Sequence, residues 1–403
     1  MKITMLTGHL AKERHSLLFE LAEDLSFYGA EVTVVTGFPS RRISEDVRDY
    51  YLNHPVEKIN DRLTIKRVGT KKGEGKGLFN RFIKYLFLSR SLKKEALKIE
   101  TDVYYIYSSP PFLGYFIASL KKKAPVVYNA QDIFPDSLFA IKPWVKKTPF
   151  GLFLRVQEKK VYKRSSAIIT ISEAMKKTIK TRNGNVDNIF VVYNWSDFNT
   201  LHYVSREENK LFDEYCIPKD KFIISYGGDI GLFQNWPVII DAAERINSKD
   251  ILFVFFGNGS QLTYVKEEIE KRSITNIMVL PMQTKDKLSS VYSLGDLELV
   301  SLSPGLTSFA LPSKLYNIFA CVKPVLAMID KDSEYFDLIN NDHLGFAIEP
   351  NNPNNLVNCI LQSIRNNELS DMGINGHDYL VNTCSRKQQT KKYYDIIVQQ
   401  KNG

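Results

Sequence analysis

The chain has 403 residues, 44% hydrophobic and 25% charged, which excludes a disordered or fibrous protein. That length exceeds one ordinary core, so two domains of ~150–200 residues are expected. Lys and Arg (54) outnumber Asp and Glu (45), and the net charge of +9 favours an anionic ligand or surface: nucleotide, nucleic acid or membrane.

The four cysteines, Cys216, Cys321, Cys359 and Cys384, form no CxxC pair. They point to a reducing, cytoplasmic compartment with neither a disulfide framework nor a structural zinc. The start, MKITMLTGHL, lacks the long apolar region of a signal peptide. No uninterrupted apolar run reaches the ~18–20 residues that span a bilayer, so membrane contact is expected to be peripheral.

Lys2 to Thr7 reads as a strand, followed by a loop, a helix from about His15 to Tyr28, and a strand Glu31 to Gly37. This is the βαβ unit of a doubly wound parallel sheet, whose ligands bind outside the carboxyl ends of the strands. His9 and Arg14 fall in the first such loop. An exposed surface role is the plain reading for both; His9 could otherwise meet the reacting groups and Arg14 an acceptor phosphate. Leu63 to Val68 reads as an added strand. From Lys71 to Lys98, nine lysines and arginines alternate with Leu, Ile, Phe and Tyr, and the second half reads as a basic amphipathic helix. It suits an anionic membrane surface, and equally a packed helix with a solvated basic face.

DVYYIY (Asp102 to Tyr107) is a further strand, Leu113 to Lys121 a helix, and APVVYNAQDIFPDS a strand running into a polar loop. Asn129, Gln131 and Asp132 therefore stand at a strand's carboxyl end. There Asp132 could orient or deprotonate an acceptor hydroxyl, or merely tie the FPDS turn. A helix-rich piece, Trp144 to Arg164, precedes AIITIS, the helix Glu173 to Lys180, and IFVVYN.

A domain boundary is placed near residue 200, giving a first domain 1–200, a second 201–382, and a terminal helical segment 383–403 that could pack on the first half. The second series runs KFIISYGG, the helix Trp236 to Ile246, ILFVFFGNG, the helix Gln261 to Arg272, NIMVLP, the helix Lys285 to Leu294 and LELVSL. Then comes SPGLTSFALPSKLYNIFA, where Ser313 is an N-cap candidate and Lys314 stands in the first turn of a short helix. A lysine at a helix start suits an anion, although a solvated helix-end charge has the same signature. PVLAMI, GFAIEP and two helices complete the series.

The motif run YNAQDIFPDS, VVYNWSD, SYGGDIGLFQN, FFGNGS and PSKLYNIFACVKPVLA spans nearly the whole chain. In order and separation it resembles the retaining nucleotide-sugar glycosyltransferases of family 4, in their bacterial polysaccharide-assembly branch of N-acetylfucosamine-transferase-like and colanic-acid-type enzymes. The resemblance implies a GT-B fold: two Rossmann-like α/β domains with parallel sheets and an interdomain cleft. It implies transfer of a sugar from a nucleotide diphosphate, UDP preferred, to a polyprenyl-diphosphate-linked glycan of capsule, O-antigen or exopolysaccharide. The enzyme would work at the inner membrane face, reached through 71–98, with no metal, no cofactor and no nucleic acid. Carried onto this sequence, the donor residues are Gly227, Gly228, Asn258, Ser313, Lys314, Leu315 and Asn317; Arg14 is the acceptor candidate, and Asp132, Gln131 and His9 are the catalytic ones.

Two departures stand out. The family's paired glutamates are replaced by Phe309 and Asn317, and the arginine and lysine expected after the first strand of the second domain are missing from GGDIGLFQN. Lys314 is therefore expected to carry a larger share of the diphosphate. The missing glutamates also keep open a catalytically weak nucleotide-sugar-binding subunit. A nucleotide-sugar dehydrogenase or epimerase is disfavoured because TGHLAKERH lacks the GxGxxG turn. No RRM, OB or helix-turn-helix pattern accompanies the basic residues, which argues against a nucleic-acid binder.

Overall fold

The computed structural model describes residues 1–10, 17–39, 45–69, 78–109, 112–183, 187–197, 200–246, 248–307 and 314–402, the side chains of 78–82 and 118 excepted. Arg14, Phe309 and Ser313 lie outside the described residues.

The chain divides into two compact units, Met1–Tyr193 with Lys387–Gly403, and Asn194–Arg386. The first holds an eight-stranded sheet: β1 (Lys2–Leu6), β2 (Glu31–Gly37), β3 (Val56–Asn60), β4 (Leu63–Val68), β5 (Val103–Tyr107), β6 (Val126–Ala130), β7 (Ala167–Thr170) and β8 (Ile189–Val191). Its order is β3-β4-β2-β1-β5-β6-β7-β8. All neighbours are parallel except β3–β4. Helices cover both faces, so strands such as β6 and β7 are buried end to end and carry near-continuous apolar runs.

The second unit holds six parallel strands: β9 (Phe222–Asp229), β10 (Ile251–Asn258), β11 (Ile277–Leu280), β12 (Leu297–Ser301), β13 (Val325–Met328) and β14 (Gly345–Ile348), in the order β11-β10-β9-β12-β13-β14. Its core gathers Trp236, Phe253, Phe255, Tyr226 and the aliphatic residues of β9, β12 and β13. The expected pair of doubly wound parallel α/β sheets is what the chain forms.

The sequence pattern missed the helix Glu45–Asn53 and the antiparallel strand β3. Val56–Asn60 is a short, charged edge segment without a strong apolar alternation, so its strand state comes from pairing with β4. The span Trp144 to Arg164 is two elements, a 3₁₀ turn Pro143–Lys147 and a helix Pro149–Arg164. Thr148 separates them: its side chain accepts from the Gly151 N–H, and Pro149 opens the helix.

The two units divide after Tyr193. Ser196 bridges to Ser385, the Ser196 hydroxyl donates to Asn317 Oδ1 at 3.0 Å, and Arg386 pairs with Asp197 at 3.2 Å, all within the second unit. The closing helix, Arg386–Asn402, belongs to the first unit from Lys387 onward. There Tyr394 packs on Tyr28 (5.4 Å between centroids), Tyr393 on Tyr105 (6.1 Å), and Lys401 pairs with Asp102 at 3.0 Å.

Candidate functional site

Each sheet has a point where the strand order reverses, between β1 and β5 in the first and between β9 and β12 in the second. Crossover helices leave such a point toward opposite faces, which opens a crevice at the carboxyl ends of the two strands.

In the second unit, β9 and β12 pair only at Ile224–Leu297 and Ser225–Glu298. Beyond that, Tyr226 to Asp229 continue without a β12 partner. Lys314, first residue of the helix Lys314–Ala320, reaches this stretch. Its Nζ lies 3.4 Å from the centroid of the Tyr226 ring, is buried, and has no hydrogen-bond partner among the described residues. An ammonium has three donors and no acceptor, so a π face alone leaves them unmet. Buried polar groups are normally satisfied, and an unmet one calls for an explanation.

Burial lowers the Lys314 pKa from 10.5 to about 7, against the attraction of Glu298 and Asp229, which raises it. Glu298, the second residue of β12, is pushed the other way. Burial raises its carboxyl to about 7, opposed by hydrogen bonds from the Ser225 hydroxyl and the Gly295 N–H and by the charges of Lys323 and Lys314. The switch point thus holds a cation kept from protonating fully and an acid kept from ionising fully. An oxyanion at Nζ would restore the ammonium.

The glycines at the end of β9 have different jobs. A side chain at Gly227 would come within 2.7 Å of Val291 Cγ1, so this glycine allows a helix to pack closely on the strand. Gly228 has φ +139°, a conformation L side chains rarely adopt, and a Cβ there would sit 3.4 Å from Lys314 Nζ. Gly228 is the one beside the cation. The Tyr226 hydroxyl donates to the Asp229 carbonyl at 2.5 Å, which fixes the ring beneath Nζ.

The other donor candidates separate. The Asn317 side chain is buried and engaged, accepting from Ser196 and hydrogen-bonding Tyr292. Leu315 is packed in the interior. Asn258 is exposed at the end of β10, where its side chain accepts from the Gly259 N–H at 2.8 Å. The loop after β12 is held by a residue the sequence pattern did not single out: the Asp330 carboxylate accepts from the N–H groups of Gly305 (2.8 Å) and Thr307 (3.1 Å), and the Thr307 hydroxyl accepts from the Asp330 N–H (3.1 Å). Those two amides are therefore engaged within the loop. Asp296 caps the base of the sheet, taking both Nη2 contacts from Arg206 at 2.7 Å and the Ile223 N–H at 2.8 Å.

In the first unit, the loops after β1 and β5 are tied by Gly8 N–H to the Ser109 carbonyl at 2.7 Å, and His9 is exposed beside them. The Ser108 hydroxyl donates to Asp132 Oδ1 at 3.2 Å and accepts from the Gln131 N–H at 3.3 Å. The Gln131 amide donates to Asn129 Oδ1 at 3.3 Å, and Asn129 in turn donates to the Tyr105 hydroxyl. Burial raises the Asp132 pKa despite the hydrogen bonds from Ser108 and Ser137. Gln131 and Asp132 thus share one polar network at the carboxyl ends of β5 and β6.

Two family models cover the chain in tandem, Glycosyltransferase Family 4 over residues 16–199 and Glycosyl transferases group 1 over residues 207–377. The chain is 27% identical over 199 residues to a protein of Escherichia coli K12 assigned as the colanic acid biosynthesis glycosyl transferase WcaI, a match covering 49% of each chain. It is 25% identical over 254 residues to WbjE of Pseudomonas aeruginosa, assigned as a glycosyltransferase, covering 61% of each. The matches thus span half to three fifths of those relatives. The crystal structure of Anabaena HepE in complex with UDP-glucose superposes with TM-score 0.74 at 15% identity, over 99% of this chain and 100% of that one, a likeness of fold. With both family models in register on two parallel α/β sheets, the chain belongs to glycosyltransferase family 4, of the GT-B fold.

Proposed function

We propose that the chain is a retaining glycosyltransferase that moves a sugar from a nucleoside diphosphate, UDP foremost, to a polyprenyl-diphosphate-linked glycan during capsule, O-antigen or exopolysaccharide assembly. The observation that carries the reading is the buried, unpartnered ammonium of Lys314 at the β9/β12 switch point, flanked by Gly228. As the bond from the sugar to the diphosphate breaks, negative charge grows on the leaving oxygens, and a fixed cation in a dry site stabilises that charge more than it stabilises the donor. UDP is favoured because HepE is described in complex with UDP-glucose; polysaccharide assembly is favoured because WcaI is assigned to colanic acid biosynthesis. Asp132 and Gln131 are the candidates to hold the acceptor hydroxyl. No covalent protein nucleophile is invoked.

The acceptor is taken to be lipid-linked, with the enzyme peripheral on the cytoplasmic face of the membrane. The 71–98 segment supplies cations for that surface; in its described part, Arg90 and Lys94 are exposed while Leu92 and Ala96 are buried.

A thermal-shift screen with UDP, GDP, dTDP and ADP sugars tests the donor, followed by release of the nucleoside diphosphate in the presence of a membrane extract. A UDP-sugar is expected to stabilise the protein and UDP to be released. Stabilisation without release would leave a nucleotide-sugar-binding subunit, and no stabilisation by any donor would overturn the reading.

A further inference from the structure

The span 141–164 carries six lysines and two arginines against the single acid Glu158, a net +7 of the whole chain's +9. Arg155 is neutralised locally, donating to Asp136 at 2.6 Å and to Glu158 at 2.9 Å. Lys142, Lys146, Lys147, Lys160 and Lys163 form no salt bridge among the described residues, Lys159 feels only the charge of the already paired Glu158, and all but the half-buried Lys142 are exposed.

The same span exposes its apolar side chains. The helix Pro149–Arg164 buries the stripe Gly151, Leu154, Glu158, Val161 and Tyr162. Leu154 and Val145 join Phe112 and Phe139 in a core cluster that anchors both the helix and the 3₁₀ turn before it. The positions left over on an ordinary surface helix would be polar. Here they are Phe150, Leu152, Phe153 and Val156, with Ile141 and Trp144 alongside. Leu152 is 67% exposed and Trp144 64%. Phe150 and Phe153 stack at 6.5 Å, and Phe153 meets Tyr115 at 6.4 Å, so these rings sit on a fixed platform. The apolar residues occupy the turn and the start of the helix, and Lys159, Lys160 and Lys163 follow along its second half.

We infer that the turn Pro143–Lys147 and the helix Pro149–Arg164 form a docking surface for an anionic lipid bilayer, with Trp144, Phe150, Leu152 and Phe153 entering the interface and the lysines meeting the headgroups. Charge complementarity sets the occupant. Tryptophan and phenylalanine beside a cluster of lysines suit the boundary between headgroup and acyl chain. Lysine is depleted from protein–protein interfaces, so a ring of unpaired lysines disfavours a second copy of the chain. This surface is distinct from the helix Leu78–Ala96, which packs Leu88 against the sheet at Gly37 and Gly69.

The full-length protein is floated with vesicles of phosphatidylglycerol and phosphatidylcholine, and with phosphatidylcholine alone. Trp144 is the reporter, because the two other tryptophans, Trp195 and Trp236, are 2% and 1% exposed. Its emission is expected to shift to the blue on anionic vesicles and to return with added salt. Trp144→Ala with Leu152→Ala, and separately Lys146→Glu with Lys147→Glu, should each weaken vesicle binding by about tenfold or more with unchanged circular dichroism. Arg90→Glu with Lys94→Glu, in the 71–98 segment, should weaken binding by less than either patch pair. The inference is overturned if the parent does not float, if both patch variants float like it, if only the Arg90/Lys94 variant fails, or if the patch variants lose a dimer seen by sedimentation. None of these readouts needs turnover, so they separate a failure of this surface from a failure of the transferase reading.

Discussion

Replacing Lys314 by methionine keeps an unbranched chain of similar length and removes the charge. Burial holds the lysine at about 7 instead of 10.5, a difference of about 5 kcal/mol at ~1.4 kcal/mol per pH unit. The sign follows from proton counts. Between pH 7 and 10.5 the unfolded chain holds a proton on this lysine that the folded chain has released, so stability rises with pH across that window, and below about 7 the full cost of the buried cation is present. Lys314→Met should therefore raise the stability of the unliganded protein near neutral pH, by up to the ~5 kcal/mol worked above, and flatten its rise toward alkaline pH. Function should move the other way. Loss of one charge-assisted contact to the leaving diphosphate is worth ~1.5–3 kcal/mol, or roughly 10- to 150-fold in kcat/KM. UDP binding should take up a proton, and above pH 7 the affinity of the parent should fall by up to about tenfold per pH unit, because the ammonium must be restored to meet the phosphate. Urea titration across pH, calorimetry in two buffers of different ionisation enthalpy, and donor turnover check the three parts. A variant that is less stable, or one that binds UDP with the parent's affinity and pH dependence, would refute the role given to Lys314.

Three further outcomes follow from neighbouring geometry. Gly228→Ala forces a side chain onto φ +139° beside Lys314 Nζ; it should cost ~1–3 kcal/mol of stability and weaken UDP binding, read by denaturation and calorimetry. Asp296→Asn removes the fork to Arg206 and should lower stability by ~1–3 kcal/mol, seen as a lower urea midpoint, with donor affinity retained because Asp296 lies at the base of β12, away from Lys314. Turnover should persist in EDTA, since the proposed charge stabilisation uses Lys314; reversible loss of activity on chelation would show a metal to be required.

Much of the architecture was legible in the chain itself. Apolar runs such as VVYNA and ILFVFF, each followed by a loop and a helical pattern, specify parallel strands buried on both faces, because local periodicity and chain order suffice for that. The motif run from YNAQD to PSKLYN placed the candidate residues at strand ends for the same reason. Short range also explains the misses: Val56–Asn60 is a strand only because β4 lies beside it.

What only the tertiary structure decided is which candidates face one another. Lys314 lies over Tyr226 and beside Gly228 because β9 and β12 part at the switch point, a separation no local pattern encodes. Asn317, a donor candidate by position, spends its amide on Ser196. Asp330, silent in the sequence, ties the amides of Gly305 and Thr307. The piece from Trp144 to Arg164 reads in sequence only as helix-rich. Which of its apolar residues are buried, and whether Trp144, Leu152 and Phe153 are covered, depends on what the rest of the fold brings to them. It leaves them exposed, beside the exposed Lys146 and Lys147.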